Sequence, residues 1–274
     1  MKGVERLINA KEVKCDEFFT LYEDIEEEIP HYKEELRGKI IYLPCDSEKS
    51  NFWKYFVNNF KEYDLKLIIA THFEKDNNSY KLEYDGEIVK KTPLNGDGDF
   101  RSKECTEIRD LSDIIIGNPP FSIFRDFFDW VIVKKFLVIA PLNMLTYKNV
   151  FPYIKDKKVC VGVHNSDSNV MNFLNNDGEI KGVAATWFTN IKYVKGRIWK
   201  LEKKYVAEDY PKYDNYNAIN VNNSNDIPID YFDEIGVPVT VMFKFDYDNF
   251  EIKDFIRPIL NGKALFCRYI IKRK

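Results

Sequence analysis

Short, wholly apolar runs of strand length recur along the chain with helix-patterned segments between them, and this alternation restricts the fold more than any other feature. Lys39-Ile40-Ile41-Tyr42-Leu43 is closed by Pro44, and Phe52, Trp53, Phe56, Val57 and Phe60 then recur at helical spacing behind the capping candidates Asp46, Ser47 and Ser50. Leu67 to Ala70, Asp113 to Gly117, Phe136 to Ala140, Val159 to Val163 and Val183 to Phe188 read as further strands, the last after a polar Asn/Asp/Gly-rich loop. Tyr80 to Lys90 alternates around Asp85-Gly86, a tight-turn dipeptide. Strands alternating with helices predict an α/β protein with a mostly parallel sheet covered by helices, closed by an antiparallel hairpin of the two late strands.

No stretch reaches the ~18 consecutive apolar residues that a membrane helix needs. The opening Met1-Lys2-Gly3-Val4-Glu5-Arg6 lacks the apolar core of a secretory signal. Cys15, Cys45, Cys105, Cys160 and Cys267 are widely spaced and form no Cys-x-x-Cys pair. The expectation is a cytoplasmic protein with reduced thiols and no metal. A formal net charge of −3 confines any nucleic-acid contact to a local basic patch. The acidic residues Glu23, Asp24, Glu26, Glu27 and Glu28 read as a solvated helix face.

Asn118-Pro119-Pro120-Phe121 stands directly after the apolar run Ile114 to Gly117, where open α/β sheets place their ligands. The two prolines fix φ and bias the residues before them away from helix, so the Pro119 carbonyl is held in a defined direction. An amino group conjugated to a planar ring is a poor nucleophile because its lone pair is delocalised. Acceptors on both its hydrogens shift density back to nitrogen, and the Asn118 side-chain oxygen and the Pro119 carbonyl are two such acceptors. Phe121 can stack on the same planar group. The pattern serves an amino group on DNA adenine, on some RNA bases or on a glutamine side chain.

Around that turn the chain resembles the EcoRI-type adenine-specific DNA methyltransferases. The resemblance runs in order through Asp16 to Thr20, then Cys45-Asp46 with Ser50 to Phe56, Gly96 to Ser102, Asn118 to Phe121, Trp187 to Asn190, Gly236 to Thr240 and Asn249 to Ile252. It implies a Rossmann-like methyltransferase fold using S-adenosylmethionine, with N6 of adenine in double-stranded DNA as acceptor. A restriction endonuclease is a further partner that it allows. By the same resemblance Thr20 would touch the methionine carboxylate of the cofactor, Asp46 its amino group, Asp99 with Phe100 its adenine, and Asn118 would border it. Asp46 beside a helix start suits a zwitterionic ligand, and Asp99 comes after a Gly-rich turn. Two departures stand out. Leu43-Pro44-Cys45-Asp46 replaces the Gly-x-Gly loop common after a first strand, and Thr71-His72-Phe73-Glu74 offers only Glu74 as a ribose carboxylate.

From about Ile191 the sequence turns to tyrosines, lysines and asparagines, with Pro211, Pro228 and Pro238. The expected division is a catalytic domain over 1–190 and a DNA-recognition region over 191–274. Lys192, Lys195, Arg197, Lys200, Lys203 and Lys204, interleaved with Tyr193 and Trp199, form a candidate phosphate-contacting strip, and Arg268 to Lys274 is a second basic run. A methyltransferase acting on RNA or glutamine, or a catalytically silent DNA-binding module of the same fold, are the alternatives.

Overall fold

The computed structural model describes residues 19–74, 78–164, 170–175, 177–191 and 199–274. In chain order the first strands are β1 (Phe19–Thr20), β2 (Ile40–Pro44), β3 (Leu67–His72), β4 (Tyr80–Tyr84), β5 (Val89–Pro93), β6 (Ile114–Gly117), β7 (Lys135–Pro141), β8 (Cys160–Val161), β9 (Met171–Leu174), β10 (Ile180–Val183) and β11 (Ala185–Thr189). Eight of them form one sheet in the order β5-β4-β3-β2-β6-β7-β11-β8.

The centre is parallel, β3 on β2, β2 on β6 and β6 on β7. Both flanks are antiparallel: the β4–β5 hairpin turns at Asp85-Gly86 as its dipeptide predicts, and β11 inserts between β7 and β8, antiparallel to each. The expectation of a mostly parallel sheet is therefore corrected to a mixed one. The apolar runs specify strands, but a run reads the same in either direction. The closing antiparallel pair β8–β11 exists, yet its connection is not a plain loop. Out of that polar stretch come β9 and β10, which pair with β1 in a separate three-stranded sheet, order β1-β9-β10.

Alternation along each central strand divides the core by face. Ile41, Leu43, Ile114, Ile116, Leu137 and Ile139 point to one side, under the helices Tyr22–Glu28 and Asn51–Asn58. Tyr42, Ile115, Phe136, Val138 and Ala140 point to the other, under Lys103–Leu111, Phe124–Val131 and Phe151–Lys155. The caps are local: Ser50 Oγ accepts from Trp53 N at 3.0 Å and Ser102 Oγ from Cys105 N at 3.1 Å. Phe124, Phe127, Phe128 and Val131, at helical spacing, are all buried.

The acidic helix departs from its expected role at its last residue. Glu28 is fully buried; its carboxylate accepts from Tyr32 Oη at 2.7 Å, from Val163 N at 2.9 Å and from His164 N. It anchors the chain leaving β8 instead of facing water, and burial raises its pKa.

The remaining strands are β12 (Ile219–Asn220), β13 (Ile235–Pro238), β14 (Phe250–Ile256), β15 (Ile259–Leu260), β16 (Lys263–Ala264) and β17 (Arg268–Arg273). A four-stranded sheet, β12-β13-β17-β14, lies against the second face. One apolar cluster runs without a break from Phe136 and Phe188 through Trp199 to Ile219, Ile235, Phe250 and Tyr269, so packing is continuous across residue 190.

Candidate active site

The central strand β2 has β3 on one side and β6 on the other, both parallel to it. The chain leaves β2 in one direction first and returns on the other side later. Its carboxyl end therefore borders a crevice between diverging loops. Two segments meet there. After Pro44 the backbone takes φ 61° at Cys45, a left-handed conformation unusual without glycine, and Asp46 N then donates to Thr71 O at 2.9 Å. After β6, Gly117 takes φ 153°, which L side chains rarely adopt, and a Cβ placed there would stand 3.6 Å from Asp46 Oδ2. The start of the Asn118 turn and the Asp46 carboxylate are thus neighbours.

Asp46 Oδ2 is shut off from solvent and has no hydrogen-bond partner among the described residues. Burial pushes the carboxyl up to about 7, against an opposing interaction with Ser50. An enclosed, unsatisfied carboxylate oxygen is costly unless a cationic donor completes it. The residue fits a ligand ammonium group.

Asn118 is half-buried, Pro119 buried and Pro120 exposed. Phe121 opens a short 3-10 turn, Phe121–Ile123, that leads into Phe124–Val131. Its ring meets Phe173 of β9 edge-on, with centroids 6.2 Å apart. Phe173 is fully buried and pairs in register with Thr20 of β1. Thr20 Oγ1 is a second enclosed oxygen without a partner, and the Thr20 carbonyl accepts from Asn51 Nδ2 at 2.8 Å. The small sheet and the helix Asn51–Asn58 therefore bring Thr20 and Phe121 together around Phe173. Phe173 was not singled out by the sequence reading, because β9 sits in what reads as a polar loop.

The Gly96 to Phe100 segment closes over the end of β3. Glu74 N donates to Asp97 O at 2.9 Å, and Gly98, at φ 81°, lies so near that a Cβ would fall 2.3 Å from His72 O. Only glycine permits this approach. Asp99 accepts from Arg101 N at 2.8 Å, from Nε at 3.0 Å and from a terminal guanidinium nitrogen at 2.7 Å, which holds its carboxyl below the usual range. Arg101 also reaches Asp126 at 3.1 Å. The Phe100 ring is 1% exposed and packs edge-on against Phe127 and Trp130, at 5.2 and 5.4 Å, so only its main chain remains for a ligand. His72 Nε2 lies 3.6 Å from Glu74 Oε2 at the same strand end.

The basic runs fare differently. Lys192, Lys195 and Arg197 lie outside the described residues; Lys200 and Lys204 are exposed, and Lys203 pairs with Asp226 at 2.6 Å. Trp199 is 6% exposed and wedged edge-on against Phe245 and Phe250, so it belongs to the core and not to a stacking surface. The final basic run is the strand β17. Tyr269, Ile270 and Ile271 are fully buried, and the Arg273 guanidinium lies 4.7 Å from the centre of the Phe250 ring while donating to Pro228 O at 3.2 Å. The run is a paired strand and not a solvated tail, with its charges at the two ends of a buried Tyr-Ile-Ile centre.

Residues 6–273 match a family model described as "Adenine-specific methyltransferase EcoRI". The Type II methyltransferase M.EcoRI of Escherichia coli is 38% identical, over 98% of this chain and 96% of its own length. The Type II methyltransferase M.MpnI of Mycoplasma pneumoniae is 36% identical, over 89% and 84%, and M.MgeORF184P of Mycoplasma genitalium 34%, over 97% and 98%. No solved structure matches the chain significantly.

Proposed function

The chain belongs to the EcoRI family of adenine-specific methyltransferases, and from that premise we propose that it methylates the N6 amino group of adenine in double-stranded DNA, using S-adenosylmethionine. The observation that carries the reading is the meeting, at the carboxyl ends of β2 and β6, of the Asn118-Pro119 turn with the enclosed Asp46 oxygen. The parallel centre with β11 inserted antiparallel between β7 and β8 supports a Rossmann-like methyltransferase fold. We assign 1–190 to catalysis and 191–274 to recognition, two regions sharing one core.

S-adenosylmethionine supplies an electrophilic methyl group. Asp46 Oδ2 is suited to hold its ammonium group and Thr20 Oγ1 its carboxylate, since each is an enclosed polar atom without a protein partner. Asp97 to Phe100 and Glu74 frame the nucleoside end, with the Phe100 main chain and not its ring as the contact. On the acceptor side, the Asn118 side-chain oxygen and the Pro119 carbonyl accept the two N6 hydrogens and return lone-pair density to nitrogen. Phe121, braced by Phe173, presents a ring face for an adenine taken out of the stack. As nitrogen bonds the methyl carbon in line, the carbon–sulfur bond would break and its electron pair would stay on the sulfur of the departing S-adenosylhomocysteine; nitrogen would then release one proton to water, so no side-chain base is required.

No described helix is long and apolar enough to cross a membrane. The described cysteines, Cys45, Cys105, Cys160 and Cys267, are in the thiol form, which suits a cytoplasmic enzyme. A restriction endonuclease of the same site would be its companion. Incubation of the protein with labelled cofactor and duplex DNA, followed by mass spectrometry of the nucleosides, tests the function. N6-methyladenine is the expected product; label in RNA or protein but not in DNA would refute it.

A further inference from the structure

The C-terminal sheet carries two strongly exposed phenylalanines at opposite ends. Phe266 is 90% exposed and precedes β17; Phe232 is 64% exposed and precedes β13. Because β13 and β17 are antiparallel, with Pro238 opposite Arg268 and Ile235 opposite Ile271, the two rings lie at the two ends of the strands. Single exposed apolar residues are ordinary on protein surfaces. What distinguishes Phe266 is its setting.

The end that carries Phe266 is the catalytic end. Tyr269 Oη donates to the carbonyl of Leu145, in the 3-10 turn Leu142–Thr146 just past the carboxyl end of β7. Phe151, at the start of the next helix, packs on Phe255 and Tyr269 at 5.5 and 5.7 Å, whereas Ile154, further down that helix, takes the Tyr247 hydroxyl through its carbonyl. Thus β14 climbs toward Ile256 in the direction in which β7 and its parallel neighbour β6 run. The Asn118 turn leaves β6 at that end. Arg125, four residues after Phe121, lies 4.4 Å from the centre of the Tyr147 ring, two residues past Leu145. A chain of contacts therefore links the catalytic turn to β17.

Beyond Ile256 the chain forms a braced projection. Ile259 pairs with Ala264 and Leu260 with Lys263, joined by Asn261-Gly262 with φ 51° and 74°, the tight turn whose twist matches antiparallel strands. Asp214 accepts from Asn261 N at 3.2 Å and Gly262 N at 2.8 Å, and Asn215 Oδ1 from Ile259 N at 2.8 Å. Leu265 N donates to Pro258 O at 2.9 Å. The backbone is therefore stiff where it meets solvent. Arg257, Asn261 and Lys263 are exposed, and no acidic residue comes after Asp254 in a chain of net charge −3.

We propose that the segment Arg257–Cys267 enters the duplex beside the target adenine, with Phe266 filling the stack that the extruded base vacates and Arg257 and Lys263 contacting phosphates. This rests on the DNA-adenine reading above. Extruding a base breaks its stacking and pairing, and an apolar wedge offsets part of that loss while the flanking cations hold the backbone.

The test compares the parent protein with Phe266→Ala, Phe266→Leu and Phe232→Ala, on a paired duplex and on one with an abasic position opposite the target. The readouts are kcat, KM for DNA, and the fluorescence of 2-aminopurine at the target position. On the paired duplex Phe266→Ala should lose roughly tenfold or more in kcat/KM, as expected of one lost stacking contact, and dim the signal. Both deficits should shrink on the abasic duplex, where less must be broken. Phe266→Leu should be intermediate, and Phe232→Ala, at the far end, unchanged. An active parent whose Phe266→Ala form matches it, or loses the same factor on both duplexes, overturns the wedge. A parent that methylates no DNA overturns the adenine reading itself.

Discussion

The carboxyl end of β6 and the strand β17 look alike in sequence: each joins three consecutive apolar or aromatic residues to polar ones. At β6 the polar residues leave the sheet, so the Asn118 turn starts at Gly117 beside Asp46. At β17 they stay in the sheet, so Arg268 and Arg273 are spent on Asn222, Pro228 and the Phe250 ring. The difference lies in the proline pair. It ends one strand and aims the turn residues into the crevice, whereas nothing interrupts the other strand before its last basic residue. Chemistry-bearing residue types mark function where a strand stops and scaffolding where it continues.

Four measurements bear on that contrast, from the largest expected effect to the smallest. Trp199→Ala, on the scaffold side, should lower unfolding free energy by about 3–5 kcal/mol, since it deletes a buried ring from the shared core. A denaturant titration measures it; weakened DNA binding with unchanged stability would move Trp199 to the recognition surface. On the catalytic side, Asn118→Ala should cut turnover by on the order of 10²–10³, the scale for loss of one positioned polar contact in a transition state, while cofactor affinity by calorimetry stays nearly intact. Loss of affinity with turnover preserved at saturation would reverse its role.

Asp46 joins stability to ligand binding. Its folded pKa of about 7 lies above the unfolded value, so the stability it contributes is present at low pH and is lost as pH rises through the interval from about 4 to 7. An ammonium ligand favours the ionised form. Cofactor affinity should therefore rise with pH up to about 7, by at most about tenfold per unit, with proton release on binding below that pH. Calorimetry in buffers of different ionisation enthalpy measures both; Asp46→Asn should abolish the dependence, and a parent profile flat through this range would separate Asp46 from the ligand amine. Smallest of the four, Lys195→Ala, Arg197→Ala and Lys200→Ala should each reduce the slope of log affinity against log salt by about 0.9, whereas Arg273→Ala should leave it unchanged. Equal slopes for all would place the phosphate contacts elsewhere.

The parallel centre, the Asp85-Gly86 hairpin and the position of the Asn118 turn were legible in the sequence because run length, turn dipeptides and prolines act locally. Strand order was not: that β4 pairs with β3 and that β11 inserts between β7 and β8 is encoded in no apolar run. Tertiary packing also overrode local reading at Glu28 and Trp199. An acid in an acidic helix became the anchor of a distant loop, and an aromatic among basic residues turned inward. Phe173 escaped notice because two buried positions in a four-residue strand, set among Asn and Asp, give no periodic signal.

The unbroken apolar cluster across residue 190 has a consequence for exchanging target specificity between relatives. A chimaera cut there would sever contacts such as Trp199 with Phe250, and Phe151 with Tyr269, and would join half-cores that had never been fitted to one another. Grafting the projecting segment 257–267 alone would spare those ring contacts and disturb only the small cluster of Tyr213, Ala218 and Ile270, on which Leu260 and Leu265 pack. In this architecture residue 190 marks a change in sequence character and not a seam in the packing.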